Sequence, residues 1–129
     1  PLFHGRMLAE AAPTADDSVL LVGDGEGYLA ALLRQIGISV TAIAPEDLVD
    51  GGAQGTWSLI LVDGAAEQLP ASIAPWMSDG GRIVTGLCER GITRLAVGRK
   101  LGTALSSLPL AEMGIPVLSA FSTSKRWSF

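Results

Sequence analysis

The sequence predicts one α/β domain in which a mostly parallel β-sheet carries helices on both faces. Continuous apolar segments of strand length recur along the first half of the chain, and glycines and helix-like periodicity separate them. Uninterrupted apolar strands are typical of a sheet that is covered on both sides. Alternating strands and helices give parallel pairing through right-handed crossovers. With 129 residues, 48% apolar and 17% charged, we expect a single globular domain over residues 1–129.

The predicted elements follow one another in the order that this fold class requires. Strands are predicted at residues 18–23, 38–44, 57–63, 82–87 and 93–98, with shorter ones at 104–110 and 116–121. Helices are predicted at residues 7–12, 26–36 and 65–77, with a helical turn at 45–50 and a tight turn at 79–81. The apolar positions of residues 26–36 recur at helical spacing, and Gly37 ends that helix. We expect the late strands to pair antiparallel as a hairpin at one edge of the sheet.

Charge and cysteine content exclude several classes of protein. The net charge of -4 and the pI near 4.8 argue against a generally basic face for nucleic acid. No apolar stretch is long enough for a membrane helix. Cys88 is the one cysteine, so no internal disulfide can form, which suits a reducing compartment, and we expect the cytoplasm. Because the sequence begins at Pro1 and not at a methionine, it remains open whether further residues precede Pro1.

A loop of alternating glycines and acids, VGDGEGY, follows the first predicted strand. Glycines occupy positions 23, 25 and 27, and the residues between them are Asp24 and Glu26. In parallel sheets ligands bind beside this first strand-to-helix turn. Each carboxylate placed about 4 Å from a pyrophosphate costs about 4 kcal/mol before screening at an effective dielectric near 20. A ligand with a cationic part and no phosphate, such as S-adenosylmethionine, suits the loop better.

Two other interpretations of the loop remain open. Gly25-x-Gly27-x-x-Ala30 also fits a dinucleotide fingerprint, and Glu46 follows at a suitable separation in sequence to bind a ribose. That frame predicts a nucleotide-binding oxidoreductase domain, and the two acids of the loop speak against it. The glycines can also serve packing alone, because they let a strand and a helix approach closely.

Three segments, taken in order, resemble the protein-L-isoaspartate O-methyltransferase family. VLLVGDGEGYLAALL is similar to the family's first motif, including the pair Gly27-Tyr28, and WSLILVDGAAEQLP is similar to its later strand and Gly-Ala turn. APWMSDGGRIVTGL resembles the helix, Gly-Gly turn and strand that follow. The tail from residue 91 to residue 129 looks like that of a variant branch of the family found in bacteria. The resemblance covers most of residues 7–129.

The resemblance implies a class I methyltransferase fold and the transfer of a methyl group from S-adenosylmethionine to an isoaspartyl carboxylate of a protein substrate. Its acceptor is already an anion, so the family needs positioning rather than a catalytic base. The cofactor-binding residues it implies are backbone Gly23, Gly25 and Gly27 at the methionine moiety, Asp24 or Glu26 at the ammonium group, Glu46 at the ribose and Asp63 near the transfer crevice. Asp63 is also the candidate catalytic residue, and the alternative is that it caps the predicted helix at residue 65. No metal ligand set is predicted.

The sequence departs from the family's pattern at three places. Ala44 stands where a ribose-binding acid is expected, directly after the second strand. Only residues 45–56 separate that strand from the next, and twelve residues suffice for one crossover but not for another strand and helix. We therefore expect a sheet truncated at the second-strand edge. PLFHGR lacks the family's Ser/Thr-rich segment, and we expect His4 to be an exposed surface residue.

These departures keep a second function open. A catalytically inactive methyltransferase-like domain could act as a binding or assembly module. The exposed edge strand ISVTAIA has no charge to prevent pairing with another chain, so a homodimer through this edge is a hypothesis. No nucleic-acid or membrane partner is expected.

Overall fold

The computed structural model describes residues 2–122, which build one six-stranded sheet flanked by helices. The strands are β1 (Val19–Val22), β2 (Val40–Ile43), β3 (Trp57–Ala66), β4 (Met77–Glu89), β5 (Ile92–Leu101) and β6 (Ala104–Glu112). The helices are α1 (Leu2–Ala11), α2 (Tyr28–Gln35) and α3 (Pro45–Asp50), and short 3-10 helices span Ala71–Trp76 and Ser119–Phe121. Among the described residues no helix is long and apolar enough to span a bilayer.

The strand order is β2-β1-β3-β4-β5-β6, and the pairing changes from parallel to antiparallel along it. β1 pairs parallel with β2 and β3, and β3 pairs parallel with β4. β5 and β6 continue the sheet as antiparallel strands, as predicted for the end of the chain. Val22 lies opposite both Ile43 and Val62, so β1 and β2 end level with each other, while β3 continues beside them to Ala66. The predicted fold class is confirmed.

Two apolar cores cover the two faces of the sheet. On one face, α1 and α2 pack their apolar sides on the strands, with Met7, Leu29 and Leu33 fully buried. On the other face, Leu48 of α3 joins Ile73 and Trp76 of the first 3-10 helix. The chain moves outward from β1 to β2 and then back across to β3. Right-handed crossovers therefore place α2 and α3 on opposite faces.

β2 forms the edge of the sheet, so the predicted truncation on the second-strand side is confirmed. α3 is the one regular element between β2 and β3. Pro45 starts it at a position where no backbone N–H is needed, and acids occupy its first turn. The reversal of direction at β2 puts a topological switch point between β1 and β3, where open sheets of this kind bind ligands.

The helix predicted at residues 65–77 is wrong. β3 instead continues through Ala65, which lies opposite Gly86 of β4 and donates its N–H to the Pro116 carbonyl at 2.8 Å. Ala71–Trp76 then forms a 3-10 helix with Pro75 inside it. Two prolines in six residues remove donors that an α-helix needs, while the sheet offers residue 65 partners on both sides.

The strand predicted at residues 116–121 is also wrong. Val117 forms a single parallel bridge with Ala65, and the next residues turn into the 3-10 helix Ser119–Phe121. Phe121 is buried against the core that contains α3. The tight turn predicted at residues 79–81 takes the form of an irregularity inside β4, where Gly80 has φ +71° and the register with β3 shifts.

Arg82 ties the amino ends of the strands together. Its guanidinium donates to the Ala11 carbonyl at 2.7 and 3.1 Å and to both Asp17 carboxylate oxygens at 3.0 and 2.9 Å. The Ser58 hydroxyl donates to the same carboxylate at 2.7 Å. The Arg82 guanidinium, above all, holds the pKa of Asp17 well below its ordinary value of 3.8. This network joins α1, the loop before β1, β3 and β4.

Candidate functional site

The glycine loop lies at the carboxyl end of β1, between the edge strand β2 and the central strand β3. The Gly23 N–H donates to the Ile43 carbonyl at 2.9 Å, so the loop starts as a continuation of the sheet. Gly27 is the N-cap of α2 and offers no side-chain cap. The Asp24 carboxylate accepts the Glu26 N–H at 2.9 Å, which folds the loop on itself. Both acids are exposed to solvent.

Gly23 and Asp63 meet at the switch point. A Cβ on Gly23 would lie 2.9 Å from the Cβ of Asp63 and 3.6 Å from its Oδ2. Real Cβ atoms do not approach so closely, so the contact requires glycine at this position. Gly25 likewise approaches β2, since its Cβ would lie 3.1 Å from that of Ala42. The structure therefore brings together two of the predicted site positions, Gly23 and Asp63.

His4 closes this corner from the other side. Its Nε2 lies 2.6 Å from Asp63 Oδ1, and because a carboxylate oxygen is an acceptor, the imidazole N–H donates. The expectation of an exposed His4 is wrong, since the residue is 5% exposed. The imidazole ring packs near the rings of Phe3 and Tyr28, with centroid distances of 4.1 and 5.5 Å. One sequence signal could have indicated this: His4 precedes Met7 by three residues and so shares its buried helical face.

The His4–Asp63 pair is only partly satisfied. His4 Nδ1 is buried without a hydrogen-bond partner, and within residues 2–122 no hydrogen bond reaches Asp63 Oδ2. The Asp63 side chain is 20% exposed. The alternative in which Asp63 caps a helix at residue 65 is wrong, because β3 continues there. A carboxylate with one oxygen bound and the other free, in a confined place, is suited to a cationic ligand group.

Glu46 lines a cavity of about 540 Å³. The cavity opens between α3 and the segment that follows β3, and the glycine loop does not line it. Its lining residues are Glu46, Val49, Asp50, Gln68, Pro70, Ala71, Ser72, Ala120, Phe121 and Ser122. The volume is in the range of small-molecule sites. Glu46 was expected from the sequence. Phe121 was not, because it is distant from Glu46 in sequence and joins the cavity only in the folded chain.

The chain is similar in sequence to a protein-L-isoaspartate O-methyltransferase. No protein-family model matches the chain. The protein-L-isoaspartate O-methyltransferase of Methanospirillum hungatei is 28% identical over 153 residues, which covers 98% of this chain and 71% of the relative. Because the alignment is longer than the 129 residues of the chain, the relative contains residues that this chain lacks. The resemblance to this family is confirmed.

Two solved structures share the fold. One is a candidate protein-L-isoaspartate O-methyltransferase (beta-aspartate methyltransferase) from Plasmodium falciparum, in complex with S-adenosyl-L-homocysteine. It matches with a TM-score of 0.70 and 16% identity, covering 93% of this chain and 74% of the other. The second, also a protein-L-isoaspartate O-methyltransferase, matches with a TM-score of 0.73 and 14% identity, covering 91% of this chain and 46% of the other.

Proposed function

We propose that this chain, a relative of the protein-L-isoaspartate O-methyltransferases in sequence and in fold, transfers a methyl group from S-adenosylmethionine to isoaspartyl carboxylates of proteins. One observation supports this above the others. The glycine turn at Gly23 meets Asp63 at the switch point, where β1 and β2 end level with each other beside β3. Sheets of this class bind their ligands at that place.

The residues at this end of the sheet fit the two ends of the cofactor. The backbone of Gly23, Gly25 and Gly27 would hold the methionine moiety. The resemblance suggests a loop acid, Asp24 or Glu26, for the ammonium group, and Asp24 already accepts the Glu26 N–H. Asp63 would sit beside the transfer crevice. These assignments suit a ligand that carries positive charge and no phosphate at this point.

Glu46 and its cavity fit the adenosine end. The Glu46 carboxylate lies in the first turn of α3, and a carboxylate can accept hydrogen bonds from both ribose hydroxyls. Phe121 and Val49 contribute apolar surface to the same cavity. Glu46 would thus replace the acid that is absent at Ala44. The cavity is built from α3 and the second 3-10 helix instead of from a further strand beyond β2.

The chemistry asks for positioning. When bound, S-adenosylmethionine supplies a methyl group activated by its sulfonium sulfur. An isoaspartyl carboxylate is ionised at neutral pH, so no side chain of this chain has to remove a proton. The protein's task is to align the carboxylate oxygen with the methyl carbon and to exclude water from the crevice. The predicted site residues include no serine, cysteine or histidine, which agrees with that task.

We also propose a domain organisation, a location, a substrate and an oligomeric state for this chain. Residues 1–129 would act as a single domain in the cytoplasm, with a protein or peptide as substrate. β2 is an open edge strand without charged residues, so a homodimer through β2 is proposed. A strictly monomeric mass in solution would exclude that dimer.

One observation favours a second function. No strand lies outside β2 among residues 2–122. The adenosine end of the cofactor would therefore contact fewer strands and helices than in a sheet with a further strand beyond β2. A non-catalytic module that binds or assembles through this edge is the alternative. The nucleotide-binding oxidoreductase is not favoured, because Asp24 and Glu26 are exposed on the loop where a pyrophosphate would lie.

Methyl transfer to a synthetic peptide tests the proposal. Transfer of labelled methyl from S-adenosylmethionine should occur with a peptide that contains one isoaspartyl residue. The matched control is the same peptide with ordinary aspartate, which should remain unlabelled. Equal labelling of both peptides would contradict the isoaspartyl specificity. Binding of the cofactor without any transfer would favour the non-catalytic alternative.

A further inference from the structure

We propose that His4 is a positioning residue, which holds Asp63 so that its second carboxylate oxygen is presented to the ammonium group of the cofactor's amino-acid end. The inference rests on the proposed function and names one of its binding contacts. It assigns the ammonium group to Asp63 rather than to the loop acids. Three features of the corner between α1, β1 and β3 support it.

The first feature is the orientation of the carboxylate. His4 Nε2 holds Asp63 Oδ1 at 2.6 Å, while Oδ2 lies beside the position where Gly23 lacks a side chain. The last side-chain torsion of aspartate has a broad, roughly two-fold profile, so its orientation is weakly restricted. Without a partner at Oδ1 the carboxylate could rotate away from the glycine turn. The imidazole therefore selects the orientation in which Oδ2 faces the loop.

The second feature is the isolation of His4. Asp63 is the sole hydrogen-bond partner of the imidazole among the described residues, and His4 Nδ1 is buried with none. The neighbouring positions that α1 buries, Phe3 and Met7, are apolar. An apolar residue would fill the space at position 4 without leaving a polar atom unsatisfied. Packing alone therefore gives no reason for histidine here, whereas the contact with Asp63 does.

The third feature is the contrast with the loop acids. Asp24 and Glu26 are exposed, so solvent screens any contact they make with a cation. The Asp63 side chain is 20% exposed and the His4 side chain 7%. A charge-assisted hydrogen bond is stronger in such a confined place. A primary ammonium group beside Gly23 would satisfy Oδ2 and complete the pair.

Two ligands that differ only in the amino-acid end provide the test. S-adenosylhomocysteine carries the ammonium group, and 5′-methylthioadenosine has the same adenosine and sulfur without it. We expect His4→Phe to weaken S-adenosylhomocysteine about tenfold in calorimetry and to leave 5′-methylthioadenosine unchanged, as expected for the loss of one charge-assisted contact. His4→Gln places an amide N–H near the position of Nε2 and should restore most of the affinity.

Asp63→Asn is the second variant, because it keeps the shape of the side chain and removes its charge. It should weaken S-adenosylhomocysteine by a similar factor and spare 5′-methylthioadenosine. Combined with His4→Phe it should add little further loss, since both changes act on one contact. Circular dichroism confirms that each variant is folded. If His4→Phe does not fold, the ligand comparison on Asp63→Asn and His4→Gln decides.

Each outcome has a definite meaning. An equal loss for both ligands would show that His4 only supports the local structure, and the inference would be overturned. Unchanged affinity for S-adenosylhomocysteine in Asp63→Asn would overturn it as well. If the wild-type chain binds 5′-methylthioadenosine and S-adenosylhomocysteine equally, the ammonium contact does not exist. If the folded wild-type chain binds neither ligand, the proposed function fails and this inference with it.

Discussion

The polar clusters at the two ends of the sheet differ in how completely their groups are hydrogen-bonded. At the amino end, the Arg82 guanidinium and the Asp17 carboxylate satisfy one another, and the Ala11 carbonyl and Ser58 hydroxyl complete the network. At the carboxyl end, the His4–Asp63 pair leaves one imidazole nitrogen and one carboxylate oxygen without partners within residues 2–122. Both clusters link α1 to the central strands, the first through Ala11 at the end of the helix and the second through His4 near its start.

We propose that the amino-end cluster is structural and that the carboxyl-end cluster binds a ligand. Native proteins satisfy nearly all of their buried polar groups, so a closed network needs no function beyond stability. A cluster left open at a ligand-binding end of the sheet can accept a further hydrogen bond from a ligand. We therefore expect changes at the amino end to reduce stability without altering ligand affinity. Changes at the carboxyl end should reduce ligand affinity without altering stability.

Replacement of Arg82 should have the largest effect on stability. Arg82→Ala removes four hydrogen bonds and leaves the Asp17 carboxylate and the Ala11 carbonyl without their partner. Breaking a largely buried ion pair costs about 3 kcal/mol in the free energy of unfolding. Urea unfolding measures this loss.

The matched control is Arg99→Ala, because Arg99 is exposed and donates only to the Gly80 carbonyl at 3.3 Å. Its effect on the free energy of unfolding should stay within about 0.5 kcal/mol. The folded fraction of Arg82→Ala should bind S-adenosylhomocysteine as the wild-type chain does. A large loss of affinity in that variant would contradict the separation of the two ends.

Replacement of Glu46 should act on affinity alone. Glu46→Gln removes the negative charge from the cavity rim, and the loss of a charge-assisted contact to the ribose should weaken S-adenosylhomocysteine about tenfold. Asp47→Asn is the control, since Asp47 is an exposed neighbour in α3 that does not line the cavity. Calorimetry on both variants compares them directly. Equal affinities for Glu46→Gln and the wild-type chain would remove Glu46 from the site.

Acidification should expose the role of Asp17. Its pKa is lowered in the folded state, so its stabilising effect is present above its ordinary pKa of 3.8 and is lost as the pH falls further. The wild-type chain should lose stability between about pH 5 and pH 3, and Asp17→Asn should show a flatter dependence over that interval. Unfolding by urea at several pH values gives both slopes. Parallel slopes would mean that Asp17 does not contribute to acid sensitivity.

Local patterns in the sequence predicted the sheet and its truncated edge. The apolar segment before Gly23 gave β1, and the helical spacing after it gave α2. The shortness of residues 45–56 predicted that β2 would be an edge strand, because a chain of that length can make only one crossover. Such features depend on neighbouring residues and on chain length. They can be inferred without knowing the three-dimensional arrangement.

Long-range contacts decided what the sequence could not predict. His4 and Asp63 are 59 residues apart, and their hydrogen bond exists because α1 packs across the sheet. Residues 65–77 carry helix-favouring alanines, but the Pro116 carbonyl and β4 supply strand partners for Ala65. Phe121 reaches the Glu46 cavity by the same kind of contact. A pattern read along the chain contains none of these partners.

The most direct test of the account is a calorimetric titration of the folded wild-type chain with S-adenosylhomocysteine. The glycine turn, the His4–Asp63 pair and the Glu46 cavity together predict binding in the micromolar range, which corresponds to about 8 kcal/mol. Saturation with one equivalent would support a cofactor site divided between these two places. Absence of binding at millimolar ligand would contradict it and would favour a module that acts through the edge of β2.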